Sequence, residues 1–513
     1  MEKSRTKNSA LTLLTSSIRQ VVQLILTFVS RTVFIHILGA DYLGLNGLFS
    51  NILTILALSE LGIGSAISFY LYKPIADKDK NRILALMKFY KVCYRYVGLI
   101  MLGAGCAIMP LLPKMVNFDQ GLPVNLYLVY FLFLFNTCST YLFFAYKQII
   151  ATASQEQYKI EKYNIIFNFI SSGTDIVVLL IFRAYIPYLV AKIIITIAKN
   201  ATIALRLNRK YPFLKEKTDS NISKAETKSI FNNVFNIAVF KFGSTLFNST
   251  DNIMISIILG TVIVGYYSNY FMIVTAFTQV ISLVVQSVSA GIGNIVAKED
   301  RNTQFSLFKQ LDFMLYFIGS FICICAFQLI NSFIKIWIGG VSTAYVLSQW
   351  CVLFICISFY FDSTTQILEQ FREGSGNFNT GKWLQLIGGV VNIFLDIVLG
   401  KMWGLEGILA ATVISKALIT ACPFVIHVGT DVFKKGKTDL IKPYLLRMII
   451  TLAGMGIIWV ICHPFHLKGL SMFILELIIT VVFALCYLIV VYHKTSEFVE
   501  LKNRVSVLLG NKK

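Results

Sequence analysis

Charge is what this 513-residue chain lacks most. Only 14% of its residues are Asp, Glu, Lys or Arg, against roughly 25% in a soluble domain. With 56% hydrophobic residues and a mean hydropathy of +0.70, both a soluble globular protein and a disordered chain are excluded. Acidic charge is the scarcer kind: 26 Asp+Glu face 46 Lys+Arg, a net charge of +20. In a soluble chain that excess would suggest nucleic acid; in a chain this apolar it asks which side of a membrane the positives occupy. The ten cysteines include no CxxC pair, so no zinc or redox motif is signalled, and small apolar packing is the plainer role. A cleavable leader is not expected either. The basic start (Lys3, Arg5, Lys7) runs into an apolar stretch too long for the roughly 7–15 residues of a signal core.

A membrane helix needs about 20 mostly apolar residues. Fourteen stretches qualify: 11–38, 43–72, 84–112, 123–147, 163–183, 185–207, 230–260, 262–294, 311–338, 345–371, 382–400, 404–428, 441–463 and 469–493. With the N-terminus inside, 35 of the 46 Lys and Arg fall on inner segments and five on outer ones, which predicts both termini in the cytoplasm. The longest connection, about 208–228, is basic and polar. No outer loop is long enough for a folded domain, which argues against a membrane polymerase or other enzyme.

Shifting the chain by 221 residues lays one half on the other. ILGADYLGLNGLFSN from Ile37 meets ILGTVIVGYYSNYFM from Ile258, so that Gly39 falls on Gly260 and Gly44 on Gly265; farther on Gly98 falls on Gly319. The basic loop Lys73–Arg82 runs in the same register as Lys298–Arg301. The expected fold is therefore an all-α polytopic membrane protein with two six-helix repeats, helices 1–6 and 7–12, around a central cavity, followed by two extra helices. The lobes are 1–207 and 230–428, joined by a basic cytoplasmic linker at 208–229, with helices 13–14 and a cytoplasmic tail at 429–513. Repeats separated by an even number of helices point the same way, a transporter design with its substrate site between the halves. Glycines that recur for helix packing alone are the competing explanation.

Polar stripes run inside the apolar segments. The first helix carries Ser16, Arg19, Gln23, Thr27 and Ser30 on one face, with Arg31 adjacent; the seventh carries Lys241, Ser244, Asn248 and Asp251. The second adds Asn46, Ser50, Thr54 and Glu60. A charge facing lipid costs about 2.5 kcal/mol or more, so such residues face a bundle interior or a wet cavity. Arg19, Arg31 and Lys241 are candidate cavity cations for an anion, since Arg grips phosphate oxygens in pairs. Glu60 and Asp251 are candidate coupling or cavity acids, and Gln23, Thr27, Ser244 and Asn248 candidate polar lining. The plainer roles are snorkelling to the headgroups for Arg19, interface anchoring for Arg31, and structural pairing for Asp251. Asp175, Asp362, Glu476, Lys192, Lys199 and Lys416 are weaker candidates. His463 and His466 have HxxH spacing without a nearby carboxylate, so no metal is expected.

The strings GLNGLFSNILTILALSELGIGSAISFYLYKPIADKD (Gly44–Asp79), ALMKFYKVCYRYVG and STDNIMISIILG resemble those of bacterial polysaccharide-biosynthesis flippases. These are the Wzx-like members of the polysaccharide transport family, in the multidrug/oligosaccharidyl-lipid/polysaccharide exporter (MOP) superfamily. The resemblance implies a 12- or 14-helix fold of two lobes in the bacterial plasma membrane. It implies transfer of undecaprenyl-pyrophosphate-linked oligosaccharide from the cytoplasmic to the outer leaflet, for O-antigen, capsule or exopolysaccharide assembly. The implied partners are that lipid-linked substrate, the bilayer and other polysaccharide assembly proteins, with no nucleic acid. No cofactor is implied beyond a coupling proton or sodium ion. The alternatives are a cation-coupled multidrug exporter of the same superfamily and a lipid II-type peptidoglycan precursor flippase. The motifs carry no sugar specificity.

Overall fold

The computed structural model describes residues 2–57, 63–117, 124–142, 145–154, 156–216, 222–375, 377, 380–462, 469–500 and 502. Glu60, His463 and His466 lie outside the described residues, as do the side chains of Lys241, Ser244 and Asn248. The described residues form helices and connections without a strand. They divide into two compact units, 1–265 and 266–513.

The first unit holds α1 (Glu2–Leu56), α2 (Ile63–Asp77), α3 (Lys80–Ile108), α4 (Leu112–Met115), α5 (Leu126–Leu142), α6 (Ile149–Ala153), α7 (Gln157–Phe182), α8 (Tyr185–Lys210) and α9 (Lys224–Leu259), and the start of α10 (Thr261–Lys298). The second holds the rest of α10, α11 (Arg301–Trp337), α12 (Gln349–Gly374), α13 (Lys382–Ser415), α14 (Cys422–Asp431), α15 (Lys437–Cys462) and α16 (Leu470–Tyr492). A π segment, Lys416–Ala421, joins α13 to α14.

Among the described residues, ten helices are long and apolar enough to cross a membrane, or eleven with the bent pair Leu126–Leu142 and Tyr146–Ala153. This makes the chain a multi-pass membrane protein. The expected fourteen stretches do not appear as fourteen separate helices, and glycine is one reason. Residues 14–56 form one 43-residue element, about 65 Å at 1.5 Å per residue, twice the thickness of a hydrocarbon core. Its helical path is broken at Gly39 (φ 81°, ψ −170°). Likewise 383–431 runs as one element, broken at Gly404 (φ 62°, ψ −134°).

The 221-residue register is visible in the backbone. Gly39 and its counterpart Gly260 both have positive φ, 81° and 106°. Arg183 between α7 and α8 falls on Gly404, and both are left-handed, at 46° and 62°. Asp79 caps α3 by accepting from the Arg82 N–H, while Asp300 at the matching position caps α11 by accepting from the Asn302 and Thr303 N–H groups. Gly44 and Gly265 touch. A Cβ on Gly44 would lie 2.0 Å from the Thr261 carbonyl oxygen, and one on Gly265 would lie 2.4 Å from that of Ala40. Small residues let backbones approach this closely.

In the first unit α1 packs along α7 and also meets α5 and α9; α8 packs on α7 and α5. In the second, α11 packs on α12, α15 and α16. There a ladder of buried hydroxyls ties helices together: Tyr316 to Tyr492 at 2.9 Å, Ser320 to Thr451 at 2.7 Å and Thr364 to Tyr444 at 3.1 Å.

Candidate functional site: a polar interior in the first unit

Two cavities lie within the first unit. One, of about 190 Å³, is lined from α1 by Gln23, Thr27, Ser30, Arg31 and Asn46, from α7 by Asn168, Ser171, Ser172 and Asp175, and from α8 by Tyr188 and Lys192. The other, of about 370 Å³, is lined by Asn46, Ser50 and Thr54 of α1, Asn136 and Thr137 of α5, and again Lys192. Asn46 and Lys192 border both. In helices this apolar, so much polar lining marks a wet interior, and Arg31 and Lys192 give it positive charge.

Local helix geometry explains the placement. Gln23, Thr27 and Ser30 are spaced four and three, so they share the face that α1 turns to α7. The Gln23 amide donates to Thr27 Oγ1 at 3.0 Å. On α7, Gln157, Glu161, Asn164, Asn168, Ser172 and Asp175 form a continuous stripe at the same spacing. Glu161 and Asp175 on it are each only 6% exposed. The sequence reading passed over this stripe, although its periodicity is as regular as that of α1. It begins in the first turn of α7, where polar residues ordinarily meet solvent.

Arg19 takes a different place from Arg31. Its Nε lies 2.6 Å from Glu161 Oε2, an ion pair across the α1–α7 seam. Glu161 also accepts from Gln157 Nε2 at 3.1 Å and Asn164 Nδ2 at 3.4 Å. Arg31, by contrast, lines the smaller cavity with Gln23 and Thr27. Lys192 lies 3.8 Å from Asp175 Oδ2 and over the Tyr188 ring at 4.4 Å. It emerges as a cavity cation from the weaker candidates, because the turn at 183–184 folds α8 back against α7.

Asp251 is buried near the end of α9, beside the equally buried Ser249, Thr250 and Asn252. Next to it the chain is tied to the segment after α4: Ser256 Oγ donates to the Met115 carbonyl at 2.6 Å, and the Thr261 N–H to that of Asn117 at 2.9 Å.

Several buried charges of the second unit have partners. Lys416 bonds both oxygens of Asp362 at 2.7 Å and Ser358 Oγ at 2.8 Å. Arg447 bonds Asp312 at 2.5 Å and lies over the rings of Phe313 and Tyr316. Glu476 accepts from Gln328 at 2.7 Å. Asn392 and Asp396, one turn apart on α13 and fully buried, were not selected from the sequence. The 221 shift places Asp396 on Asp175, which was the available signal.

The chain matches no sequence model of a known protein family, and no curated protein matches it. Solved structures do resemble it. A structure of the lipid II flippase MurJ in an inward closed conformation superposes with a TM-score of 0.66 at 16% identity, over 93% of this chain and 98% of that one. An inward-facing multidrug resistance MATE family transporter of the MOP superfamily gives 0.62 at 12% identity, over 85% and 98%. A point mutant of the Vibrio cholerae MATE transporter VcmN gives 0.57 at 11% identity, over 84% and 100%. At these identities the likeness is one of fold: the chain has the helical architecture of these MOP superfamily transporters.

Proposed function

We propose that the protein is a flippase for undecaprenyl-pyrophosphate-linked oligosaccharide, moving its headgroup from the cytoplasmic to the outer leaflet of a bacterial plasma membrane with both termini inside. The observation that carries this reading is the cation-bearing polar interior of the first unit, where Arg31 and Lys192 stand among amides and hydroxyls suited to a phosphorylated sugar. The fold supports it, since the MurJ structure that superposes best among those cited is that of a lipid II flippase.

In this mechanism Arg31 and Lys192 hold the pyrophosphate, with Lys241 as a further cation. Gln23, Thr27, Ser244 and Asn248 offer hydrogen bonds to the headgroup. Arg19 keeps α1 seated on α7 through Glu161. The prenyl tail stays in lipid. The lobes, 1–207 and 230–428, alternate access, and a proton or sodium ion on Asp251 or Glu60 biases the two states by its differential affinity for them. No bond is made or broken, so the protein acts as a transporter rather than an enzyme.

The test is leaflet exchange of a fluorescent lipid-linked oligosaccharide in proteoliposomes. Protein-dependent exchange that falls when Arg31 and Lys192 are both replaced by Met is expected; no exchange in the wild type would overturn the reading. The likeness to MurJ favours a second substrate of the same chemistry, a pyrophosphate-linked peptidoglycan precursor, which competes in the same assay. A multidrug exporter of cationic compounds fits the interior less well, because its two cations outweigh Asp175.

A further inference from the structure

Three polar atoms of residues lining the smaller cavity, from α1 and α7, are buried and lack a hydrogen-bond partner among the described residues: Asp175 Oδ1, Asn168 Nδ2 and Ser30 Oγ. Buried polar atoms are nearly always satisfied, so a cluster of three facing one space marks a place where something polar binds. Asp175 is 6% exposed, and its nearest cation, Lys192 at 3.8 Å from Oδ2, stands beyond hydrogen-bond distance. Lys192 leans instead on the Tyr188 ring. The space itself, about 190 Å³, is room for about six waters at roughly 30 Å³ each.

A site for a bare phosphate has no use for this carboxylate, which repels an anion. A carboxylate accepts from hydroxyls, an amide N–H donates to them, and a serine hydroxyl does either. Beside two cations, these groups describe a ligand with an anionic part and a hydroxyl-rich part. The 221 shift does not reproduce the combination: it carries Asp175 onto Asp396, but Lys192 onto Val413 and Arg31 onto Asn252.

We propose that Asp175, Asn168 and Ser30 form a hydroxyl-reading subsite for the sugar attached to the pyrophosphate, so that the first unit recognises the first saccharide as well as the charge. This rests on the flippase reading and extends it to specificity.

The test uses the full-length protein in nanodiscs and two probes, farnesyl pyrophosphate and farnesyl pyrophosphate carrying one N-acetylglucosamine, with binding measured by calorimetry. Wild-type protein is expected to bind the sugar-bearing probe more tightly. Asp175→Asn should weaken that probe about 10-fold, the loss of a charge-assisted hydrogen bond, while leaving the bare pyrophosphate unchanged or tighter. Asn168→Leu should discriminate in the same direction, and it decides the matter if Asp175→Asn does not give a monodisperse protein. Equal effects on the two probes, or none, would overturn the subsite while leaving the flippase reading intact. Wild-type protein that binds neither probe would overturn both.

Discussion

The Lys416 ammonium sits 2.7 Å from each carboxylate oxygen of Asp362 and 2.8 Å from Ser358 Oγ, at the first residue of the π segment that joins α13 to α14. Lys416 is nearly buried, while the Asp362 side chain is 41% exposed. The pair therefore locks the wide turn to α12 from one side. Stranding one member of a fully buried pair costs about 3–5 kcal/mol, and the exposure of Asp362 lowers that expectation to about 1–3 kcal/mol. Lys416→Met should lower the melting temperature of the detergent-solubilised protein, and adding Asp362→Asn should recover most of the loss. An unchanged melting temperature for Lys416→Met would remove the pair from the stability of the second unit.

Arg19 and Arg31 should separate in experiment. Arg19→Gln leaves Glu161 buried without its cation and is expected to destabilise by about 1–3 kcal/mol, with Glu161→Gln restoring stability in the double variant. Flipping should follow folded protein in this series. Thermal melts and exchange rates measured on the same preparations test this, and a stable Arg19→Gln that fails to flip would assign Arg19 to the substrate instead.

Arg31→Met and Lys192→Met should each slow flipping by about 10–100-fold, as the loss of a charge-assisted contact to phosphate implies. Arg31→Lys should recover only part of the rate, because Lys lacks the planar fork. Gln23→Leu should have a smaller effect. Exchange rates normalised to reconstituted protein give the ranking.

Gly44→Ala should disrupt the first unit, since the added carbon would lie 2.0 Å from the Thr261 carbonyl oxygen, a backbone atom that cannot swing aside. The expected loss is about 1–3 kcal/mol or more. Gly103→Ala, which meets nothing within 4 Å, should be neutral. Expression as monodisperse protein by size exclusion distinguishes them.

The caps offer a pH signature. The Thr303 hydroxyl, together with the Asn302 and Thr303 N–H groups, holds the Asp300 carboxyl below its ordinary range. A carboxyl lowered on folding contributes stability above its unfolded pKa of about 4 and loses that contribution as pH falls through its folded value. Asp300→Asn should therefore remove a small acid-side loss of thermal stability that the wild type shows below about pH 4. Identical slopes for the two proteins there would show that the cap carries no such linkage.

The repeat was legible in the chain because glycines at turns and close approaches have no substitute: Gly39 on Gly260 and Gly44 on Gly265 kept their register through an otherwise interchangeable apolar background. The Asp79 and Asp300 caps follow the same register, yet as single residues in polar loops they announced nothing. The polar stripe of α1 was equally legible, and its residues Gln23 and Thr27 line one cavity together with Arg31.

Composition and periodicity by themselves determined a helical membrane protein, its internal register, and which face of α1 is polar, because bilayer thickness and the 3.6-residue turn constrain any sequence in the same way. Only the tertiary structure decided which charges are paired across helices and which line a cavity. Arg19 and Arg31 lie on one helix and look alike in sequence, but α7 sets Glu161 against the first and leaves a cavity beside the second. Lys192 and Asp175 stand seventeen positions apart on separate helices, and the turn at Arg183 brings them face to face. Pairing of charges depends on distances across helices, and a helical repeat records only distances along them.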